Sequence, residues 1–254
     1  MVDFHSHFLP GIDDGSDSVE TSLAMLRESR RQGVELICAT PHFYAEEANP
    51  SYFIERRNRA WDSLREEMEK TSENWPEVLL GAEVLYFPGI SVSEEIRNLR
   101  LEGSPFLLVE PPMIPWSNAI IDEIEQCGET LGCIPVIAHL DRYMRILDDY
   151  TLFDRMEDRE ILIQVNASFF LHRSTEEMAS NMLLEDRIHF IGSDCHNMED
   201  RRPNMGEAAQ TIRQNGLANA FTAFNETLYH VMNKALSGTG KKTLHVSTSW
   251  QENE

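Results

Sequence analysis

The 254-residue chain carries 43 acidic against 22 basic residues, a formal net charge of -21 at pH 7, with 41% hydrophobic residues. Such a composition is globular, and the charge argues against gripping a nucleic-acid backbone, which needs clustered Lys and Arg. No apolar run approaches the ~18 residues of a membrane span, so no membrane insertion is expected, and the length suits one α/β barrel. Cys38, Cys127, Cys133 and Cys195 form no Cys-x-x-Cys pair, and no basic-apolar leader opens the chain. The expected compartment is therefore the cytoplasm.

The opening run MVDFHSHFLPGIDD predicts a strand with His5 and His7 on one face, broken at Pro10-Gly11 and followed by Asp13 and Asp14 in a loop. Ser16 is placed to cap a first helix, whose apolar positions Val19, Leu23, Met25 and Leu26 run to about Gln32 before Gly33. A buried strand over 35–40 then ends at Pro41-His42, and 51–72 reads as a charged helix with a solvated face. Apolar runs over 78–82 and 106–109 lead into Glu83 and Glu110, with a short helix over 93–101 between them. A helix over 117–131 precedes the run 134–138, which ends in His139-Leu140-Asp141-Arg142. After further helix, 161–165 leads to Asn166, and 188–192 ends in Ser193-Asp194-Cys195-His196. Helices over 205–214 and 225–236 follow. Residues 1–237 are expected to form a single domain, and 238–254 a polar, flexible tail.

Seven apolar strands alternating with helices predict a parallel sheet covered on both faces, most economically an α/β barrel. In such barrels the site lies at the C-terminal ends of the strands, where His5, His7, His42, Glu83, Glu110, His139, Asn166, Asp194 and His196 fall. Imidazoles and carboxylates are the ligands of borderline divalent metals, and five of the nine histidines share this rim. Closely spaced divalent ions suit hydrolysis, since they acidify a bound water and neutralise charge on a transferring phosphoryl group. They would also supply the local positive charge that so acidic a chain needs to hold phosphate. Arg142 and Arg201 leave strand ends beside the same rim, and guanidinium forks match phosphate oxygens, which favours a phosphate ester over an amide.

The runs D-F-H-S-H…PG-x-DDG, A-H-x-[ED]-R-Y and S-D-x-H-N resemble the PHP (polymerase and histidinol phosphatase) superfamily. Within it the chain most resembles the bacterial manganese-dependent protein-tyrosine phosphatases of capsule and exopolysaccharide loci, over roughly 1–236. The resemblance implies a distorted (β/α)7 TIM-like barrel and three divalent ions, manganese first, with iron, cobalt or zinc also accepted. His5, His7, Glu83 and Asp194 would hold one ion, and Glu83 would bridge to a second held by Glu110 and His139. Asp14, His42 and His196 would hold the third, while Arg142 and Arg201 match the family's phosphate-binding arginines. The chain departs from the common pattern at Glu199-Asp200 and at Pro111-Pro112.

The activity implied is hydrolysis of phosphotyrosine on a protein, an autophosphorylating bacterial tyrosine kinase being the implied partner, by attack of a metal-bridging hydroxide. A metal-bound water, Asp141 or His42 would be the general acid. Three other readings stand beside it. One is a small-molecule phosphoesterase such as a histidinol-phosphate phosphatase, and another a non-catalytic module held together by metal. The third comes from Cys195 and Arg201, which fit the Cys-x5-Arg signature of cysteine-dependent phosphatases. Their loop has no glycine, and Glu199 and Asp200 would repel phosphate.

Overall fold

The computed structural model describes residues 1–237, Thr239 and Lys241; the remainder of the tail expected over 238–254 lies outside the described residues. The strands are β1 (Val2–Ser6), β2 (Leu36–Ala39), β3 (His42–Phe43), β4 (Glu77–Leu80), β5 (Glu83–Leu85), β6 (Phe106–Glu110), β7 (Ile134–Ile137), β8 (Leu162–Asn166) and β9 (Phe190–Gly192). The helices are α1 (Val19–Arg31), α2 (Pro50–Glu69), α3 (Asn118–Leu131), α4 (Leu140–Leu147), α5 (Leu152–Met156), α6 (Glu176–Leu184), α7 (Met205–Gln214) and α8 (Ala218–Ser237).

Every strand pairing is parallel, in the orders β1-β2-β4 and β3-β5-β6-β7-β8-β9. Thr40-Pro41 separates β2 from β3 and Gly81-Ala82 separates β4 from β5, so the nine segments make the seven expected strand runs. The sheet curls until its ends meet: Ser6 bridges Cys195, the His7 N–H donates to the Cys195 carbonyl at 2.9 Å, and the Asp194 N–H to the His5 carbonyl at 2.8 Å.

Strands buried on both faces explain the near-continuous apolar runs. Outward residues such as Ile37, Val109, Ile137 and Ile163 join Met25, Leu26, Ile121 and Ile124 of the covering helices in one cluster. Inward, the Phe4 ring stacks on Phe190 at 3.8 Å and meets Phe106 edge-on at 6.1 Å, and Leu228, Tyr229 and Met232 of α8 complete this interior cluster. Burying each such ring stabilises the fold by roughly 2 kcal/mol. Among the described residues no helix is long and apolar enough to cross a membrane.

Three local expectations shift. Ser18, not Ser16, caps α1: it is extended, with φ -150°, and its side chain accepts the Thr21 N–H. The Ser16 hydroxyl turns to the Ser18 carbonyl instead, at 2.9 Å. The crossover over 93–101 is two 3-10 turns, Ile90–Val92 and Glu94–Leu99, interrupted by the non-helical Ser93. Helix α8 starts at Ala218, where Phe221 is buried and stacks with Phe224, although polar neighbours blur the periodicity. Helix α6 adds an element to that reading, burying Ala179, Met182 and Leu183 at helical spacing.

One irregularity positions the site. Asp3 pairs with Ile37 and Ser6 with Ala39, so Phe4 and His5 together oppose Cys38 alone. This β-bulge resets the alternation of the strand. Phe4 points into the aromatic interior, while His5 and then His7 point to the rim above it.

Candidate metal centre and phosphate cleft

The nine candidate ligands sit at the C-terminal ends of the strands, as a parallel barrel requires. Glu83, at the start of β5, is fully buried in the middle. Its Oε2 lies 3.0 Å from His5 Nε2, 3.2 Å from His7 Nε2 and 3.2 Å from His42 Nδ1, and its Oε1 lies 2.9 Å from His139 Nε2. Glu110 reaches His139 at 3.6 Å and His42 at 3.7 Å, and Asp194 reaches His5 at 3.7 Å and His7 at 3.6 Å. Asp14 lies 3.4 Å from His196 and 3.6 Å from His42.

Donor atoms close enough to share an ion form three groups among the described residues: His7, Asp14, His42 and His196; His5, His7 and Glu83; and His42, Glu83 and Glu110. They overlap in part the three sets that the resemblance implies: His7, His42 and Glu83 each serve two groups, whereas His139 and Asp194 fall in none of them. Cations fit this arrangement better than hydrogen bonds do. His5 Nε2 and His7 Nε2 face each other at 3.0 Å, and His42 Nδ1 and His196 Nε2 are buried without a hydrogen-bond partner.

The electrostatics split the ring: against its burial, hydrogen bonds to Asp13 and Glu83 push His7 up to about 10. Burial opposes ionisation of Glu83, yet His5, His139 and His7 hold it well below the usual carboxylate range. Burial opposes Asp194 too, and His5, His139, His7 and Arg201 hold it down. Glu110 instead goes up to about 7, through burial and the charge on Glu83. Burial and His7 push His196 down to about 3, and burial pushes His42 down, so both imidazoles offer neutral lone pairs at pH 7.

The candidate ligands are held from behind by Asp13, Asn166 and Gln164, of which only Gln164 is not singled out in the chain. Asp13 accepts from His7 Nδ1 at 2.8 Å and from the His42 N–H at 2.9 Å, and Gln164 Oε1 lies 3.1 Å from His5 Nδ1 and accepts the His139 N–H at 2.6 Å. Asn166 donates to Asp194 Oδ2 at 3.1 Å. Partners of this kind fix imidazole tautomer and orientation. Gln164 leaves one signal in the sequence: an amide inside an apolar strand must find buried partners. Gly192 makes room, since a Cβ there would stand 2.5 Å from the His5 Cβ. His139 and Asp194 adopt left-handed backbone, φ 33° and 53°, which costs of order 1 kcal/mol each and is concentrated here at strand ends.

Beside the ligands a cleft of about 470 Å³ is lined by Asp141, Arg142, Asn166, Asp194 and Arg201, among others. Arg201 Nη2 donates to Asp194 Oδ1 at 2.9 Å, so its guanidinium is anchored at the edge of the ligand ring. Asp141 is half-buried and accepts the Asn166 N–H at 2.9 Å. Both arginines expected to hold phosphate thus line one cavity next to the imidazoles.

Residues 1–225 match the family model for capsular polysaccharide synthesis, CpsB/CapC. The chain belongs to the CpsB/CapC family. It is 29% identical over 222 residues to the tyrosine-protein phosphatase CpsB of Streptococcus agalactiae serotype V, covering 84% of this chain and 89% of that one. With the tyrosine-protein phosphatase YwqE of Bacillus subtilis it shares 28% over 228 residues, 84% of each chain. Among solved structures, that of YwqE from Bacillus subtilis and CpsB from Streptococcus pneumoniae, described as metal-dependent tyrosine phosphatases, superposes with a TM-score of 0.77 at 24% identity over 96% of both chains. The barrel is therefore the PHP-type fold.

Within this CpsB/CapC barrel Cys195 closes the sheet and is not a nucleophile. It is fully buried in the apolar cluster, is absent from the cleft lining, and burial pushes its thiol far above the ordinary range. A reactive cysteine needs the opposite setting. Cys195→Ser is expected to keep more than about half of the turnover while costing roughly 1–2 kcal/mol of stability, a buried hydroxyl replacing a thiol. Loss of turnover in a folded, fully metallated variant would contradict this.

Proposed function

We propose that this CpsB/CapC chain is a metal-dependent protein-tyrosine phosphatase whose machinery lies within 1–237. The observation that carries the reading is the ring of five imidazoles and their carboxylates beside a cleft lined by Arg142 and Arg201, in a chain whose relatives bear that name. His5, His7, Glu83 and Asp194 would hold one divalent ion, Glu83, Glu110 and His139 a second, and Asp14, His42 and His196 a third, manganese being the first choice. Bound there, the ions supply Lewis acidity that generates hydroxide at neutral pH and offsets phosphoryl charge.

The chain's own groups do the rest. Arg142 and Arg201 fork onto the non-bridging phosphate oxygens and hold phosphorus in line for attack. Asp194 fixes the Arg201 fork, while Asp13 and Gln164 keep the His7 and His5 rings turned inward. A phenol leaves with a pKa of about 10, so a weak proton donor suffices for phosphotyrosine. The physiological substrate we infer is an autophosphorylating bacterial tyrosine kinase in the cytoplasm, in the control of capsular polysaccharide synthesis.

The substrate class is tested by comparing kcat/KM on a phosphotyrosyl peptide, the matching phosphoseryl peptide and histidinol phosphate. The phosphotyrosyl peptide is expected to lead by roughly 10²-fold or more. A lead for histidinol phosphate would make the protein a small-molecule phosphoesterase.

A further inference from the structure

The cleft beside the metal centre has more positive charge on one wall than phosphate binding uses. Its acids are already engaged: Asp194 by Arg201 at 2.9 Å, Glu207 by Arg202 at 2.7 Å, Asp200 by Asn197 at 2.9 Å, and Asp141 by the Asn166 N–H at 2.9 Å. On the α4 wall, Arg142 and Arg145 both line the cavity, and among the described residues neither guanidinium makes a hydrogen bond or an ion pair. In a chain of net charge -21, a cavity whose four arginines match its four acids, with two of those arginines outside any ion pair on one wall, is a local departure from the overall field.

The spacing says what the second one can meet. Arg142 and Arg145 lie three residues apart on one helix, so their side chains leave the same face with Cβ atoms about 5–6 Å apart. Side chains two apart on an extended peptide also share a face, at about 6.6 Å. With the phosphate of a phosphotyrosine on Arg142, the side chain two positions along the peptide falls opposite Arg145.

We propose that Arg145 forms an anionic subsite for an aspartate or glutamate two residues from the phosphotyrosine, so that the enzyme prefers acidic segments of its protein substrate. The subsite rests on the phosphatase reading and gives it a sequence preference. The loop on the other side of the ligand ring offers no such attraction, because a separate hollow there is lined by Asp17, Glu20 and Glu199. Charge across the mouth is thus lopsided, and an acidic segment is drawn to the α4 side.

The test measures kcat/KM of the manganese-loaded protein on two phosphotyrosyl peptides that differ only at the second position on each side of the phosphotyrosine, glutamate in one and glutamine in the other. The glutamate peptide is expected to lead about fivefold, the scale of one partly exposed ion pair. Arg145→Gln should bring the ratio near one, and Arg145→Glu should invert it. Arg173→Gln, which alters an exposed arginine outside the cleft lining, should keep the wild-type ratio. A wild-type ratio near one, or an Arg145→Gln variant that slows both peptides equally, overturns the subsite while the phosphatase reading stands. Absence of hydrolysis of either peptide overturns the phosphatase reading and the subsite with it.

Discussion

Chelation of the purified protein is expected to lower phosphotyrosyl-peptide hydrolysis by ~10³-fold or more, and manganese added back should restore it. The reason is the crowd around Glu83. Four imidazoles stand within 3.2 Å of its two oxygens, and Glu110 and Asp194 close in behind them. Without cations the carboxylates repel one another and the lone pairs on His42 and His196 go unused, so the same treatment should lower the melting temperature as well. At 100-fold saturation, bound metal stabilises a fold by about 2.7 kcal/mol, a shift of several degrees that scanning calorimetry resolves. Full turnover in protein shown by elemental analysis to be metal-free would sink the metal-centre assignment.

Substituting either cleft arginine is expected to cost about 10²-fold in kcat/KM. Arg142→Ala should do so with metal content unchanged, since among the described residues Arg142 carries no ion pair that could disturb a candidate ligand. Arg201→Ala removes the 2.9 Å contact to Asp194 as well, so its loss should combine slower turnover with a higher manganese requirement. Arg201→Lys restores charge but not the planar fork, and should recover only part of the rate. Steady-state kinetics across a manganese titration separates the two effects. Near-normal rates in both alanine variants would remove the phosphate clamp.

Much of this site could be read from the chain alone because a parallel barrel converts order into place. An apolar run followed by a polar residue means a residue at the rim, and His5, His42, Glu83, Glu110, His139, Asp194 and His196 each follow such a run. The remainder depends on contacts between distant segments. Asp13 stood beside Asp14 in the same loop, and only the approach of His7 and His42 tells the carboxylate that orients imidazoles from the one that faces the open side. The left-handed turns at His139 and Asp194 are imposed by ring closure and the helix that follows. The cap expected at Ser16 falls to Ser18, whose extended backbone aims its hydroxyl at the Thr21 N–H, a choice that loop geometry and not residue type decides. Arg145 carries no signal in the chain alone, because nothing in sequence shows that the acids lining the same cavity are each held by another residue.

The bulge at Phe4 and His5 divides the barrel into two storeys that answer to different pressures. Below it, the Phe4, Phe106 and Phe190 rings and the apolar face of α8 make a floor that needs nothing from the metals. Above it, the functional side chains ride on the C-terminal parts of the strand runs and on the loops and helix starts that follow them. Drift in those loops can retune which peptides are accepted without unpicking the packing beneath. Diversification within such a family should therefore gather at the mouth, and the cellar should be inherited almost intact.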